Sequence, residues 1–256
     1  MKATLASAFF VTAALYASVG FGGGSTYTAL LAVSGASLAL VPVVSLVCNI
    51  TVVAGNSWRF ARAGLVPWKA LGPILAASIP AAWLGGRLVV SETVFLGLLW
   101  IALLVAGMRL VLARPVLDKA PQPRSSLTSV GIGAAVGFYS GIVGIGGGIF
   151  LAPLLHALRW DRPHRIAASA SVFILANSAS GLIGQLQKLS ATGSTGLPDV
   201  LGYWPLVLAV FLGGTIGNRL SIGWLKPEHL RRLTGVLVTL VAIRLAWRWT
   251  ALLGIV

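Results

Sequence analysis

The sequence is poor in acidic residues and in cysteine. Charged residues make up 9% of the 256-residue chain, against roughly 25% in a soluble globular domain. The single cysteine, Cys48, excludes an intrachain disulfide and a cysteine-based metal cluster. The acidic residues all lie in or beside predicted loops, which argues against a cation pathway or a carboxylate proton relay across a membrane. They are Glu92, Asp118, Asp161, Asp199 and Glu228.

Apolar residues dominate what is present. They account for 57% of the chain, and the mean hydropathy is +0.92. This composition predicts an all-α integral membrane protein embedded in the lipid bilayer. We expect about eight full spans, or about ten segments when short ones are counted, at roughly 20 residues per full span. The apolar segments are residues 3–20, 25–36, 37–57, 70–86, 93–112, 127–143, 148–158, 166–187, 201–218 and 233–251.

The net charge of +14 would suggest nucleic-acid binding in a soluble protein. Here the basic residues fall mostly between apolar segments, as the positive-inside rule expects, and we predict no nucleic-acid partner. If each half of the chain has five segments, the loops at 58–69, 113–126, 159–165 and 219–232 share one side. A parallel arrangement of the halves puts two strongly basic loops on the wrong face, so the rule favours inverted repeats.

The second half of the sequence repeats features of the first. Residues 19–25 (VGFGGGS) correspond to 143–149 (VGIGGGI), and a segment dotted with polar residues follows each run. Further along, 84–88 (LGGRL) corresponds to 216–220 (IGNRL). We therefore predict a first transmembrane repeat at 1–112, a cytoplasmic linker at 113–126 and a second transmembrane repeat at 127–256.

The two glycine runs are the strongest candidate site. Short glycine-interrupted segments at matching positions of two halves are typical of a transporter binding site. A helix that restarts after glycines presents unpaired N–H groups and the positive end of its dipole to an anion. The alternative is that the glycines only permit tight helix crossing. We expect substrate contacts from Gly22, Gly23, Gly24, Ser25, Thr26, Gly146, Gly147 and Gly148.

Uncharged polar residues on the following segments are further candidates. Asn49 and Asn177 lie at matching places, and Ser45, Ser169 and Ser171 precede them by about one or two helical turns. Uncharged donors suit an oxyanion that must also be released. The alternative is ordinary interhelical hydrogen bonding, worth about 0.6 kcal/mol in membranes. Both interpretations stay open for Asn49, Asn177, Ser169 and Ser171 as substrate-binding residues and for Ser45 as a possible anion or gating contact.

Three charged or titratable residues complete the candidates. Arg87 and Arg219 end equivalent segments, and a guanidinium pairs well with a sulfonate. Snorkelling toward the headgroups is the commoner role of such arginines. His156 lies in the second short segment, where it could assist proton coupling or sit in the interior without a role in transport. These are candidate anion or gating contacts.

Enzyme chemistry is not expected. The apolar segments hold no Ser/His/Asp set and no metal-ligand cluster, and neither glycine run is followed by a P-loop lysine. We accordingly predict no catalytic residue, no metal and no cofactor.

The paired G-x-G-G-G runs, the Asn-bearing segments after them and the L-G-x-R-L-type motifs resemble the sulfite exporter TauE/SafE family, also called toluene sulfonate uptake permeases. The resemblance covers residues 5–250. This family often has a proline soon after the glycine run. Pro153 fits that pattern, whereas residues 28–31 of the first half contain no proline, so the halves are not expected to bind substrate equally.

The resemblance implies a bacterial-type inner-membrane permease for sulfur-containing anions such as sulfite or organosulfonates. We expect a secondary transporter, working as an exporter, with alternating access around a midplane anion site at the glycine-broken helices. The alternatives are an anion channel and a non-transporting membrane assembly factor. The sequence leaves open which anion is carried, the coupling ion and the oligomeric state.

Overall fold

A computed structural model describes residues 2–18, 20–112, 125–193, 197–220 and 227–252. Within these ranges the regular elements are all α-helices, as the composition predicted. They are α1 (Lys2–Ser18), α2 (Gly24–Val33), α3 (Val41–Arg62), α4 (Trp68–Arg87), α5 (Glu92–Leu112), α6 (Ser126–Val143), α7 (Gly148–Ala157), α8 (Pro163–Thr192), α9 (Leu197–Leu201), α10 (Trp204–Leu220) and α11 (Pro227–Leu252).

The helices begin and end near the predicted segments, with two clear differences. The expected basic loop at 58–69 is partly helical, because α3 continues to Arg62. Arg59 and Arg62 lie in its last turn, where cations complement the helix dipole. The expected loop at 219–232 is likewise shortened by the start of α11 at Pro227. The predicted linker at 113–126 lies outside the described residues except for its last two.

Among the residues that the structure describes, four helices are long and apolar enough to cross a membrane: Val41–Arg62, Glu92–Arg109, Ser126–Val143 and Pro163–Thr192. The protein is therefore a multi-pass membrane protein of all-α class. The helices α2 and α7 have 10 residues each, which at about 1.5 Å per residue span roughly half of a ~30 Å hydrocarbon core. The expectation of about eight full spans stays a prediction.

Helix pairing is nearly unchanged when the two halves are exchanged. Helices α1–α5 of the first half correspond, in order, to α6, α7, α8, α10 and α11 of the second. Under this correspondence, the contact between α4 and α6 matches the contact between α10 and α1. The contact between α4 and α8 likewise matches that between α10 and α3. The pair α2–α3 becomes α7–α8, and α3–α8 and α5–α11 become themselves. Each of these pairs is observed.

The two pairs that map onto themselves run antiparallel. In α3–α8, the Ser57 hydroxyl lies 3.0 Å from that of Ser171, and the Asn49 amide nitrogen lies 3.2 Å from the Ser178 hydroxyl. The order along one helix is thus reversed along the other. In α5–α11, the Trp249 indole at the end of α11 donates to the Thr93 carbonyl at the start of α5, 2.9 Å away.

Glycines bring several helix backbones into direct contact. A Cβ atom on Gly85 of α4 would meet the Phe138 carbonyl of α6. The matching position of α10, Gly217, faces the Ala14 carbonyl of α1 in the same way. Small residues of this kind allow close helix packing in membranes, where apolar burial gives no driving force between helices.

Candidate functional site

The two glycine runs have the same local backbone structure. After α1, the Phe21 amide donates to the Tyr16 carbonyl at 2.9 Å, and after α6 the Ile145 amide donates to the Ser140 carbonyl at 3.3 Å. The intervening Gly20 and Gly144 have φ angles of 85° and 76°. This left-handed conformation closes a helix C-terminus and favours glycine. The glycines therefore end one helix before starting the next.

A second left-handed glycine starts the following helix in each half. Gly23, with φ 81°, is the N-cap of α2, and Gly147, with φ 78°, is the N-cap of α7. A glycine has no side chain to accept the hydrogen bond that Ser, Thr, Asp or Asn would accept at this position. The first amides of α2 and α7 must therefore find other partners.

Several of the amides in and after the glycine runs have no hydrogen-bond acceptor among the described residues. Within the described part of the chain, no atom accepts a hydrogen bond from the amides of Gly22, Gly23 and Ser25 in the first half. The same holds for four consecutive amides, residues 146–149, in the second half. Unpaired amides at helix starts bind anions because the N–H groups and the helix dipole both attract negative charge.

Asn49 of α3 joins the two glycine runs. Its side-chain oxygen accepts a hydrogen bond from the Gly24 amide at 3.1 Å, and its amide nitrogen donates to the Ile145 carbonyl at 2.9 Å. The same nitrogen lies 3.2 Å from the Ser178 hydroxyl of α8. We call this set, Asn49, Gly24, Ile145 and Ser178, the asparagine junction. It is buried, and it links α2, α3 and α8 to the second glycine run.

Ser45, one helical turn before Asn49 on α3, contacts the first glycine run. Its hydroxyl donates to the Gly24 carbonyl at 2.9 Å, and the Thr28 hydroxyl lies 2.7 Å from it. The sequence did not single out Thr28 as a candidate, although its position one turn after Gly24 on α2 is the spacing at which a hydroxyl reaches a helix carbonyl. Ser45 thus holds the backbone of the glycine run through its carbonyl group.

Asn177 lies in a different environment from Asn49. Its amide nitrogen donates to the Phe173 carbonyl at 2.9 Å and to the Ser78 hydroxyl of α4 at 3.1 Å. Its oxygen is buried without a partner among the described residues. The side chain that meets Gly148 is Ile174, because a Cβ atom on Gly148 would collide with it. The structure therefore places Ile174 rather than Asn177 against Gly148, and substrate binding by Asn177 stays a prediction.

The two predicted serines of α8 also differ from each other. Ser171 is engaged in the interhelical contact with Ser57. Ser169 is fully buried, and its hydroxyl oxygen has no partner in the part of the chain that the structure describes. Ser169 is therefore the more available of the two as a hydrogen-bonding group.

The charged candidates lie at helix ends. Arg87 is exposed, with its guanidinium carbon 5.4 Å from the centre of the Trp83 ring. Arg219 is exposed near the end of α10. His156 lies in the last turn of α7, where its Nδ1 atom is buried and has no hydrogen-bond partner among the described residues. The structure thus places none of these three in the asparagine junction.

A polar cluster not foreseen from the sequence joins α3 to α10. The Arg59 guanidinium donates to the side-chain oxygens of Asn56 at 2.6 Å and Asn218 at 2.8 Å, and to the Asn218 carbonyl at 3.1 Å. We call these three residues the arginine clamp. The corresponding position of Asn218 in the first half is Gly86, where a Cβ atom would lie 2.5 Å from the Gly181 carbonyl. The signal was available in the sequence as the replacement of the second glycine of LGGRL by asparagine in IGNRL.

The described residues contain no group of three His, Cys, Asp or Glu side chains that could hold a metal ion. What the site offers is a set of backbone amides, hydroxyls and one carboxamide. Such groups bind by donating hydrogen bonds, which suits a small anion.

Comparison with known proteins identifies relatives over nearly the whole chain. A family model described as "Sulfite exporter TauE/SafE" matches residues 5–245. A "Probable membrane transporter protein" of Sinorhizobium fredii is 34% identical over 249 residues, which are 95% of this chain and 97% of that protein. Another, of Methanocaldococcus jannaschii, is 28% identical over 183 residues, covering 68% of this chain and 66% of that protein.

A third relative is longer. "Probable membrane transporter protein MamO" of Paramagnetospirillum magneticum is 25% identical over a 270-residue alignment that covers 88% of this chain and 41% of that protein. No solved structure matches the chain.

Proposed function

Because this chain belongs to the sulfite exporter TauE/SafE family, we propose that it carries small sulfur-containing anions, such as sulfite or organosulfonates, across the bacterial inner membrane. The family and the relatives above are membrane transporters and not enzymes. The chain is accordingly a multi-pass membrane transporter. Its substrate and its direction of transport are the proposed part.

One observation carries the choice of an anion. Unpaired amides of both glycine runs lie on either side of the asparagine junction, at the starts of two helices whose dipoles point their positive ends there. Peptide N–H groups without an acceptor are costly in a bilayer. An oxyanion with several acceptor oxygens would satisfy more than one of them at once. We propose that it does so in place of, or next to, Asn49.

Alternating access is the proposed mechanism. Residues 1–112 and 127–256 would form two inverted repeats around the site, joined by a cytoplasmic linker at 113–126. The antiparallel α3–α8 and α5–α11 pairs support this, because a twofold axis along the helices would make both pairs parallel. Rocking of the halves would expose the site first to one side of the membrane and then to the other.

Export of the anion would be driven by the membrane potential. Moving one charge through 100 mV changes its free energy by about 2.3 kcal/mol. No Asp or Glu lies in the four described helices that can cross a membrane, apart from Glu92 at the first residue of α5. Proton coupling would then depend on His156 or on protonation of the substrate itself.

Radiolabelled sulfite flux in proteoliposomes tests the proposal. We expect saturable flux that increases when the potential is positive on the side toward which the anion moves. An unrelated membrane protein reconstituted at the same density provides the background. Flux that does not respond to an imposed potential would overturn electrogenic export, and absence of flux for any sulfur oxyanion would overturn the substrate class.

Two other functions make different predictions. An anion channel would show single-channel currents and no saturation with substrate. A membrane assembly factor would move no anion after purification, and a bulky residue at Gly23 or Gly147 would impair its binding to a partner protein. Saturable flux by the purified protein distinguishes the transporter from both.

A further inference from the structure

Tyr27, in the first turn of α2, carries a buried hydroxyl group. The side chain is 0% exposed, and its hydroxyl oxygen has no hydrogen-bond partner among the described residues. Burying a hydroxyl without a partner lowers the stability of the fold. Phenylalanine would fill the same volume without this cost, so the hydroxyl needs an explanation.

The hydroxyl lies at the start of α2. Long side chains on a helix turn back toward its N-terminus, and the Cζ atom of Tyr27, which bears the hydroxyl, would lie 3.2 Å from a Cβ atom on Gly23. Phe9 of α1 stacks on the Tyr27 ring with centroids 4.8 Å apart. This contact holds the ring in place, beside the N-cap of the helix.

Other hydrogen-bond donors surround the same helix end. The Tyr16 hydroxyl of α1 lies 3.0 Å from the Thr26 hydroxyl, and the Ser25 amide has no acceptor among the described residues. We call Tyr16, Ser25, Thr26 and Tyr27 the hydroxyl cluster. Residues 1–91 contain no Asp or Glu, so this part of the chain has no carboxylate that could accept hydrogen bonds from these donors.

The second glycine run lacks this cluster. The three residues after Gly148 are Ile149, Phe150 and Leu151, where the first run has Ser25, Thr26 and Tyr27. The Phe150 ring packs edge-on against Tyr139, at a centroid distance of 5.5 Å. Polar side chains at the three positions after the last glycine are thus specific to the first half, although the backbone conformation is shared.

We infer that the Tyr27 hydroxyl, beside the N-cap of α2, is a substrate hydrogen-bond donor that binds the sulfur–oxygen headgroup of the transported anion within the hydroxyl cluster. This inference rests on the proposed function and specifies which half of the site binds the headgroup through a side chain. The oxygens of sulfite or a sulfonate accept from the phenol and from the amides at the start of α2. The second run contributes backbone amides, and the three residues that follow Gly148 are apolar.

The variant Tyr27→Phe removes the hydroxyl alone. We expect its melting temperature in detergent to equal or exceed that of the wild type, because an unpartnered buried hydroxyl is lost. We also expect the KM for sulfite flux in proteoliposomes to rise about tenfold, since a hydrogen bond to a charged group is lost. The inhibition constant of methanesulfonate, measured as a competitor of sulfite flux, should rise by a similar factor.

Tyr139→Phe is the matched control, because the Tyr139 hydroxyl donates to the Leu98 carbonyl at 2.6 Å. It should lower the melting temperature and leave the KM unchanged. A wild-type KM in Tyr27→Phe, with wild-type protein transporting sulfite normally, would overturn the inference and leave the proposed function standing. Wild-type protein that moves no sulfur oxyanion would instead overturn the proposed function. A lower melting temperature together with an unchanged KM would assign Tyr27 a purely structural role.

Discussion

The two glycine runs share a backbone conformation and differ in the side chains around it. Both end one helix at a left-handed glycine and start the next at another, at Gly20 and Gly23 in the first half and at Gly144 and Gly147 in the second. The first run is followed by three polar residues of the hydroxyl cluster, whereas Ile149, Phe150 and Leu151 follow the second, and Asn49 contacts both runs. The comparison teaches that two runs with the same source of free amides can differ in the chemistry of the side chains that follow them.

The outer ends of the halves differ in a similar way. The arginine clamp joins α3 to α10 through side chains, whereas the corresponding end of the α4–α8 contact combines close backbone packing at Gly86 and Gly181 with a hydrogen bond from the Trp83 indole to Gln187. A contact through one exposed arginine is easier to break than direct backbone packing. If the halves rock during transport, the α3–α10 end is the one that we expect to open more readily.

The largest expected effect separates Gly24 from Gly148. A Cβ atom on Gly24 would collide with the Ile145 carbonyl and with Asn49, whereas one on Gly148 would collide only with the Ile174 side chain. Backbone cannot move aside as a side chain can, and overpacking costs about 1–3 kcal/mol. We expect Gly24→Ala to reduce sulfite flux at least about tenfold and Gly148→Ala to reduce it less, at equal expression.

Ile174→Ala provides the control for this pair. Combined with Gly148→Ala it removes the colliding atoms, so the melting temperature of the double variant should exceed the value expected from adding the single effects. No such coupling is expected between Ile174→Ala and Gly24→Ala. Equal loss of flux in both glycine variants would contradict the inequality of the two runs.

The second-largest expected effect is the difference between substituting Asn49 and substituting Asn177. Asn49→Ala leaves the Gly24 amide and the Ile145 carbonyl without their partner, at about 1–3 kcal/mol for each unsatisfied group. Asn177→Ala removes one interhelical bond, worth about 0.6 kcal/mol in membranes, together with an unpartnered oxygen. We expect Asn49→Ala to lower the melting temperature of the purified protein by several degrees more than Asn177→Ala, at about 2–4 °C per kcal/mol.

Equal shifts of the two melting temperatures would show that the asparagine junction is not the stronger link. Asn49→Asp adds a further test, because a carboxylate would still accept from Gly24 but would repel an anion. It should reduce sulfite flux more strongly than its effect on the melting temperature suggests.

A smaller effect is expected at the arginine clamp. Asn218→Ala removes the side-chain acceptor of an exposed guanidinium and leaves the backbone carbonyl of residue 218 in place, and exposed charged contacts are worth about 0–1 kcal/mol. Stability should therefore change little, whereas the rate of sulfite exchange should rise if this end must open. Arg87→Gln at the other end is the comparison and should leave the exchange rate unchanged. A slower exchange in Asn218→Ala would argue against opening at α3–α10.

The smallest effect is expected at Ser171. Its hydroxyl is engaged with Ser57 across α3–α8, and such a bond contributes about 0.6 kcal/mol. Ser171→Ala should lower the melting temperature by about 1–2 °C without changing the KM for sulfite. A raised KM would return Ser171 to the substrate contacts that the sequence predicted.

The sequence predicted the helices well because apolar runs and glycine breaks determine their positions directly. It predicted the glycine runs as helix starts for the same reason. It could not predict which side chains face them, because α3 and α8 cross at an angle and register that only packing decides. Ile174 faces Gly148 although Asn177 is the residue that resembles Asn49. Arg59 was assigned to a loop because the extent of α3 beyond its apolar stretch depends on its contact with α10.

Amide hydrogen exchange tests the central claim, that both glycine runs bind the anion through their free amides, most directly. The purified protein is compared in sodium sulfite and in sodium chloride at equal ionic strength. We predict that sulfite slows exchange at residues 22–25 and 146–149 and leaves the ends of α3 and α10 unchanged. Protein that transports sulfite but shows unchanged exchange at both runs would contradict the account.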